Sequence, residues 1–449
     1  MRESWLAFAA RETPRYTSYP TAAQFSAAIG AKEVGGWASA IDRAHRLSIY
    51  VHVPFCAQLC WYCGCHTTIP NGYDRATRYV RTLLREIDLW AKRLGPHRGA
   101  HHVHFGGGTP SFLTAADLKT ILSAIDLAFS IAPGAEIAIE IDPRTVDAAR
   151  IAGLSEAGFT RASLGAQDFD ARVQTAVNRI QPFEQVAAVA EALRAAGIER
   201  LNLDLMYGLP HQTVDSVEQT QKLAASLNPD RVAVFGYAHV PWFKRHQAMI
   251  DEAELPDIAQ RLLQAQAAAD VWESAGYAPI GFDHYAAPED SLTAAARAGR
   301  LRRNFQGYTD DPADALIGLG ASSISDFPGG MAQNARDIAD WTRMIEAGAL
   351  PIDRGVGRTA EDRLRGLAIE RLLCAMSVDL AEICVSAGFA EDALDDCLPG
   401  LRALADEALC VVEGRRVGIP IAARLLARTV ARRLDAYAKD APQRHSVSV

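Results

Sequence analysis

Apolar and polar positions along this chain fall into two alternating periods. Short apolar runs with strand character are SIYVHV (48–53), HVHF (102–105), EIAIEI (136–141), RASLGA (161–166), RLNLDLMY (200–207) and RVAVFGY (231–237). Between them lie amphipathic helical patterns such as RATRYVRTLLREIDLWAKRL (75–94) and FEQVAAVAEALRAAG (183–197). Repeated strand–helix units of this kind imply an α/β fold with a parallel sheet. Six units fall short of the eight a closed barrel needs, so the pattern predicts a partial, open (βα)6 barrel with its chemistry at the C-terminal strand ends. PRYTSYPTAAQF (14–25) has no helical period and predicts an irregular arm. The expected division is an arm over 1–45, a barrel with its closing elements over 46–345, and a mainly helical C-terminal domain over 346–449. That last region ends in a basic amphipathic stretch, AARLLARTVARRLDAYA (422–438), which reads as part of a packed small domain rather than a membrane-surface helix.

Composition narrows the function classes. A hydrophobic content of 49% with 22% charged residues is ordinary for a soluble globular protein. A formal net charge of −8, without long Lys/Arg runs, argues against nucleic-acid binding. The apolar runs are too short for a stable membrane insertion, and the N-terminus lacks an export signal. A reducing cytoplasm and a monomer are the expectations.

The candidate chemistry concentrates after the first strand, in PFCAQLCWYCGCHT (54–67). Cys56, Cys60 and Cys63 there follow the spacing C-x3-C-x2-C. Thiolates select zinc or iron–sulfur clusters. Structural zinc usually wants two separated cysteine pairs, and Cys374, Cys384, Cys397 and Cys410 supply no such pairing. Three closely spaced thiolates suit a [4Fe–4S] cluster with one iron left open for a ligand. Cys65 stands outside this triplet and is read equally as a handler of electrons or protons and as a small packed residue. GGGTP (106–110) follows the second strand, with Gly107 and Gly108 allowing close backbone approach and Thr109 offering a hydroxyl. Glu140, Gln167, Arg179 and Asp204 end or follow strand-like segments, and four polar groups at one mouth suggest a binding site.

The cysteine loop, with YVHVPFC ahead and CGC behind, resembles the radical S-adenosylmethionine (SAM) superfamily, in the branch containing oxygen-independent coproporphyrinogen III dehydrogenases. NFQGYT (304–309), GYAHVPW (236–242) and GFDHYAAPED (281–290) look like that branch too. The resemblance runs from Pro14 to about Tyr437. It implies a radical SAM barrel with a [4Fe–4S] cluster on Cys56, Cys60 and Cys63 and two SAM molecules. Tyr50, Gly107, Glu140 and Ile324 match positions contacting the SAM on the cluster. Tyr62, Gly108, Thr109, Gln167, Arg179, Asp204 and Ala238 match those around the second, Tyr62 standing where phenylalanine is more usual. Cys65 and Tyr50 are the catalytic candidates, and the arm is expected to act as a lid. The implied reaction uses a 5′-deoxyadenosyl radical to convert two propionates of coproporphyrinogen III to vinyls, giving protoporphyrinogen IX for haem synthesis. It needs an electron donor and a terminal electron acceptor. Arg15, Arg302 and Arg303 are candidates for meeting the anionic substrate. The competing readings are a haem-related radical SAM methyltransferase or haem-degrading relative, and a non-catalytic haem chaperone. His101, His102 and His104 read as packed or hydrogen-bonded residues rather than haem ligands.

Overall fold

The structure is a computed structural model describing residues 4–439; residues 1–3 of the expected arm and 440–449 of the expected C-terminal domain lie outside the described residues. Six parallel strands, β1 (Leu47–Val53), β2 (Ala100–Gly107), β3 (Ile131–Ile141), β4 (Arg161–Gln167), β5 (Arg200–Tyr207) and β6 (Arg231–Gly236), lie side by side in chain order. They are the six strands read from the apolar runs. All seven positions of β1 are buried, as for a parallel strand covered on both faces.

The sheet extends past these six. Two short strands, β7 (Ala278–Ile280) and β8 (His284–Ala286), pair antiparallel beyond β6. A hairpin of β9 (Arg302–Asn304) and β10 (Gly307–Thr309) stands apart as its own two-stranded ribbon. At the other edge β11 (Ala315–Leu319) runs parallel to β1, followed antiparallel by β12 (Ile324–Phe327), β13 (Gly330–Asn334) and β14 (Ile352–Gly357). The outermost strands, β7 and β14, do not pair with each other, so the sheet stays open. The segment around β11 reads as a polar loop leading into small residues, because five short apolar letters give little period. Burial between β1 and β12 makes it a strand.

Helix Asp74–Ala91 covers the β1–β11 junction, burying Tyr79, Leu83, Ile87 and Trp90 on one face. Beneath it lies a buried polar knot. Glu86 Oε2 accepts from Gly320 N (2.7 Å) and Trp341 Nε1 (3.2 Å), and its Oε1 accepts from Asn334 Nδ2 (2.6 Å). Burial pushes the Glu86 carboxyl up to about 7.

The arm is clasped by the chain's other end. Tyr16 donates its hydroxyl to Asp435 Oδ2 (2.9 Å), Tyr19 Oη accepts from Ala436 N (3.0 Å), and Arg432 Nη1 donates to the Glu12 carbonyl (2.7 Å). The basic stretch over 422–438 is not one amphipathic helix but a helical turn, Ala427–Ala431, flanked by 3-10 turns. Its Arg424 and Arg428 are buried, bonding the Tyr285 hydroxyl (3.0 Å) and the Thr13 carbonyl (3.4 Å). That is the packed alternative. C-terminal to β14, helices Ala360–Ala375, Leu380–Ser386 and Leu398–Asp406 accompany a small antiparallel sheet of Ser377–Asp379, Arg416–Gly418 and Val411–Glu413. Since β14 is still part of the main sheet, we place the domain boundary after Gly357 rather than at 345/346.

Candidate active site

The cysteine loop leaves β1 at the C-terminal mouth of the sheet and is pinned along its length. Cys56 N donates to the Thr68 carbonyl (3.1 Å), Trp61 N to the Val177 carbonyl (2.9 Å) and Asn178 Nδ2 to the Leu59 carbonyl (2.8 Å). Lys244 Nζ donates to the Cys65 carbonyl (2.8 Å) and His246 Nε2 to the Cys63 carbonyl (2.7 Å).

Each of the three sulfurs in the C-x3-C-x2-C spacing faces hydrogen-bond donors. Cys56 Sγ accepts from Thr67 Oγ1 (3.0 Å) and Thr109 Oγ1 (3.4 Å), so the GGGTP turn touches the loop directly. Cys60 Sγ accepts from Arg144 Nη2 and Arg179 Nη1, both at 3.4 Å. Cys63 Sγ accepts from Cys65 N (3.3 Å), and a hydrogen bond from the Cys65 thiol brings Cys63 down to about 7 while pushing Cys65 up. Donors aimed at sulfur favour the thiolate that a metal centre requires. Three thiolates on one short loop, each with its own donors, can each take a different iron of a cluster. The donor set therefore fits a [4Fe–4S] cluster.

Next to the loop, Glu140 Oε2 accepts from Gly107 N (3.2 Å) and its Oε1 bonds His104 Nε2 (3.1 Å). The glycines make this approach possible. A Cβ on Gly106 would sit 2.7 Å from Glu140 Oε1, and one on Gly107, whose φ is +112°, would sit 2.6 Å from the His52 ring. Tyr50 lies stacked on His104 (6.0 Å between centroids) with the edge of Phe305 against it (4.7 Å). Its hydroxyl meets His52 Nδ1 at 3.2 Å, and His52 Nε2 meets the His66 carbonyl at 2.9 Å. A carbonyl only accepts, so Nε2 carries the proton and Nδ1 accepts from Tyr50. Burial lowers His52 to about 4, in keeping with a neutral ring. His102 is bonded to Glu136 (3.0 Å), so His102 and His104 are hydrogen-bonded residues, as read.

A second group lies around Arg179. Its Nη2 donates to the Gly165 carbonyl (2.7 Å) and its Nη1 lies 3.4 Å from Asp142 Oδ2. Burial raises Asp142, but Arg144 and Arg179 outweigh it and hold the carboxyl below the usual range. Gln167 ends β4 at a φ of +63°, its amide 2.7 Å from where a Gly165 Cβ would lie. Gln247 Nε2 donates to the carbonyls of Tyr62 (2.9 Å) and Ala238 (3.2 Å), tying those two positions together. Asp204 is not at a strand end; it lies within β5, opposite Gly165 and Ala233, and accepts from Ser163 Oγ (3.0 Å). Burial, with Glu140 nearby, pushes it up to about 6. Arg179 likewise follows helix Ala171–Ala176 rather than a strand, and only its side chain returns to the mouth. Asp142, Arg144, His52 and Gln247 were not singled out from the sequence. Asp142 and His52 each sit two residues from a chosen position, Glu140 and Tyr50, which on a strand is the same face.

Ile324 faces a different space, a cavity of about 660 Å³ under the arm that Arg15, Arg302, Arg303 and Phe305 also line. Arg303 lies between the rings of Phe282 (4.8 Å) and Tyr308 (4.4 Å), and its Nη2 donates to the Arg15 carbonyl (3.3 Å). Its Nε and Nη1 are buried with no hydrogen-bond partner. Buried donors left this way are rare in a finished fold and mark a place for an acceptor.

Residues 50–224 match the family model of the radical SAM superfamily. The chain is 46% identical over 436 residues to an oxygen-independent coproporphyrinogen III oxidase of Bradyrhizobium diazoefficiens, covering 97% of each. It is 44% identical over 424 residues to a relative of the same description from Cereibacter sphaeroides, covering 94% of each. Its fold matches the solved coproporphyrinogen III oxidase of Escherichia coli, described as a radical SAM enzyme, with a TM-score of 0.90 and 35% identity, covering 95% of this chain and 100% of that one. Likeness of this extent, over a barrel whose mouth carries the cysteine loop, means that the chain belongs to the oxygen-independent coproporphyrinogen III oxidase family of the radical SAM superfamily.

Proposed function

We propose that this protein converts two propionates of coproporphyrinogen III to vinyls without oxygen, each losing a hydrogen atom, carbon dioxide and one electron. The observation that carries the reading is the set of three cysteine sulfurs, each under its own donors, at the mouth of the parallel barrel. Cys56, Cys60 and Cys63 would hold a [4Fe–4S] cluster, which with SAM would supply the one-electron chemistry that removes a hydrogen atom from the substrate.

The chain's own residues bind and orient. Glu140, steadied by Gly107 N and His104, offers a carboxylate to the ribose hydroxyls of the SAM on the cluster, with Tyr50 stacked on His104 beside it, while Ile324 lines the cavity under the arm. Tyr62, Gly108, Thr109, Gln167, Arg179, Asp204 and Ala238 surround the second SAM. Arg303, with two donors still open, and Arg15 beside it receive a substrate carboxylate, a group that arginine binds through paired hydrogen bonds. Cys65, whose backbone N–H donates to Cys63 Sγ, favours the thiolate of Cys63. The arm closes the substrate cavity from water. All eight cysteines are free, which fits a reducing cytoplasm. We take the protein to work as a monomer with a separate electron donor and acceptor.

The test is an anaerobic assay of reconstituted protein with coproporphyrinogen III, SAM, dithionite and an electron acceptor. Stepwise loss of two carboxyl groups with 5′-deoxyadenosine formation, abolished in Cys60→Ser, is the expected result. Deoxyadenosine without decarboxylation overturns the substrate; neither product from a protein with an intact cluster overturns the activity.

A further inference from the structure

The outer wall of the cysteine loop carries a charge pattern opposite to that of the whole chain. A surface groove of about 830 Å³ runs between helix Asp74–Ala91 and helix Ile338–Glu346, with Pro54, Phe55, Thr67 and Thr68 of the loop forming part of its wall. Arg75, Arg78, Arg81, Arg85, Arg336 and Arg343 line it, against two carboxylates, Asp337 and Glu346. All six arginines are exposed. Four of them project from one face of helix Asp74–Ala91, where the spacings of three and four residues stack side chains. Arg75, Arg78 and Arg81 make no ion pair among the described residues, whereas Arg85 reaches Glu346 (3.9 Å) and Arg343 reaches Asp340 (2.8 Å). On a chain of net charge −8, this concentration of positive charge is local.

Its position makes it more than a solvated face. Thr67, a groove residue, donates to Cys56 Sγ at 3.0 Å, so one side chain separates the groove from a sulfur of the loop. The groove thus approaches the loop from outside the barrel, on a different side from the cavity under the arm.

We infer that this basic groove is the docking surface for a small acidic one-electron carrier protein, whose own redox group it brings close to the cysteine loop. The inference rests on the proposed function, which places a cluster on that loop. In the step it serves, the carrier is oxidised by one electron and the cluster reduced by one, with no bond or proton exchanged. Complementary charge of this kind steers encounter and raises on-rates while leaving the chemistry untouched.

The test uses the holoenzyme under anaerobic conditions with an acidic flavodoxin as probe. Arg75→Glu/Arg78→Glu/Arg81→Glu is compared with a control carrying the same charge change elsewhere, Lys222→Glu/Arg402→Glu/Arg416→Glu. Binding is measured across a salt series, and turnover is driven either by reduced flavodoxin or by dithionite. Expected are salt-sensitive flavodoxin binding to wild type, weakened about tenfold or more in the groove variant and little changed in the control. Flavodoxin-driven turnover falls in parallel, and dithionite-driven turnover does not. Equal flavodoxin binding by wild type and groove variant overturns the docking surface. Weaker binding of coproporphyrinogen III in the groove variant would assign the groove to substrate instead, and overturn it too. Failure of dithionite-driven turnover in wild type counts against the proposed function, while the binding series still decides the docking surface by itself.

Discussion

Two buried polar clusters of this molecule differ in how fully the fold uses them. At the β1–β11 junction, both Glu86 oxygens are taken by donors from Gly320, Asn334 and Trp341, and the carboxylate is wholly inside. At the mouth and in the cavity under the arm, Arg179 Nε, Gln306 Nε2 and Arg303 Nε and Nη1 are buried without partners, while donors crowd three sulfurs. Burial is similar; satisfaction is not. A group whose hydrogen bonds are all made within the chain stabilises the fold, and removing it strands its partners. Open donors carry a desolvation cost that folding does not recover, so they point to a ligand.

That contrast breaks first at the cysteines. Cys60→Ser should lower turnover by more than the roughly 10–100-fold typical of losing a ligand's hydrogen-bond partner, yet leave the urea midpoint of the cluster-free chain nearly unmoved. Parallel activity assays and denaturation curves check it. Glu86→Ala should do the reverse, costing about 3–5 kcal/mol by stranding three buried donors, with turnover of the folded fraction retained. Denaturation by urea reads this directly.

The same carboxyl gives a pH signature. Glu86 keeps its proton up to about 7 in the fold, against a reference value of 4.5. Between those values the folded state binds more protons than the unfolded one, so stability falls as pH rises. The effect is on the order of 3 kcal/mol, complete above about pH 7. Unfolding curves from pH 4.5 to 7.5 should show that slope in wild type and a flatter one in Glu86→Gln. Smallest is Arg179→Lys, which keeps the charge but cannot span Cys60, Asp142 and Gly165 together. Turnover should drop by about tenfold and stability by about 1 kcal/mol or less, and a SAM titration would show weaker binding.

The parts legible in the sequence were those written in local pattern. The six runs became β1–β6 because strand burial leaves a short-range mark, continuous in β1, which is buried along its length, and alternating in β5. The three cysteines were legible because their C-x3-C-x2-C spacing is written within one short loop. β11 was not, since five residues carry too little period and only the neighbouring β1 and β12 make them a strand. Gln247 was not, because it acts through the carbonyls of Tyr62 and Ala238, groups that every residue possesses. The basic stretch over 422–438 was legible as packed, but its breaks into a helical turn between 3-10 turns were not. Its arginines bury against Tyr285 and the arm, contacts more than a hundred residues away.

By itself, then, the sequence determined the parallel barrel, the cysteine loop after its first strand and the polar set near the strand ends, because periodicity and ligand spacing act over a few residues. Tertiary structure alone decided that Arg144 and Arg179 meet at the Cys60 sulfur, that Arg303 keeps two donors open under the arm, and that four arginines of one helix flank the loop. Those facts depend on which distant side chains share a site, and hydrogen bonding and charge act through space, whatever the separation along the chain.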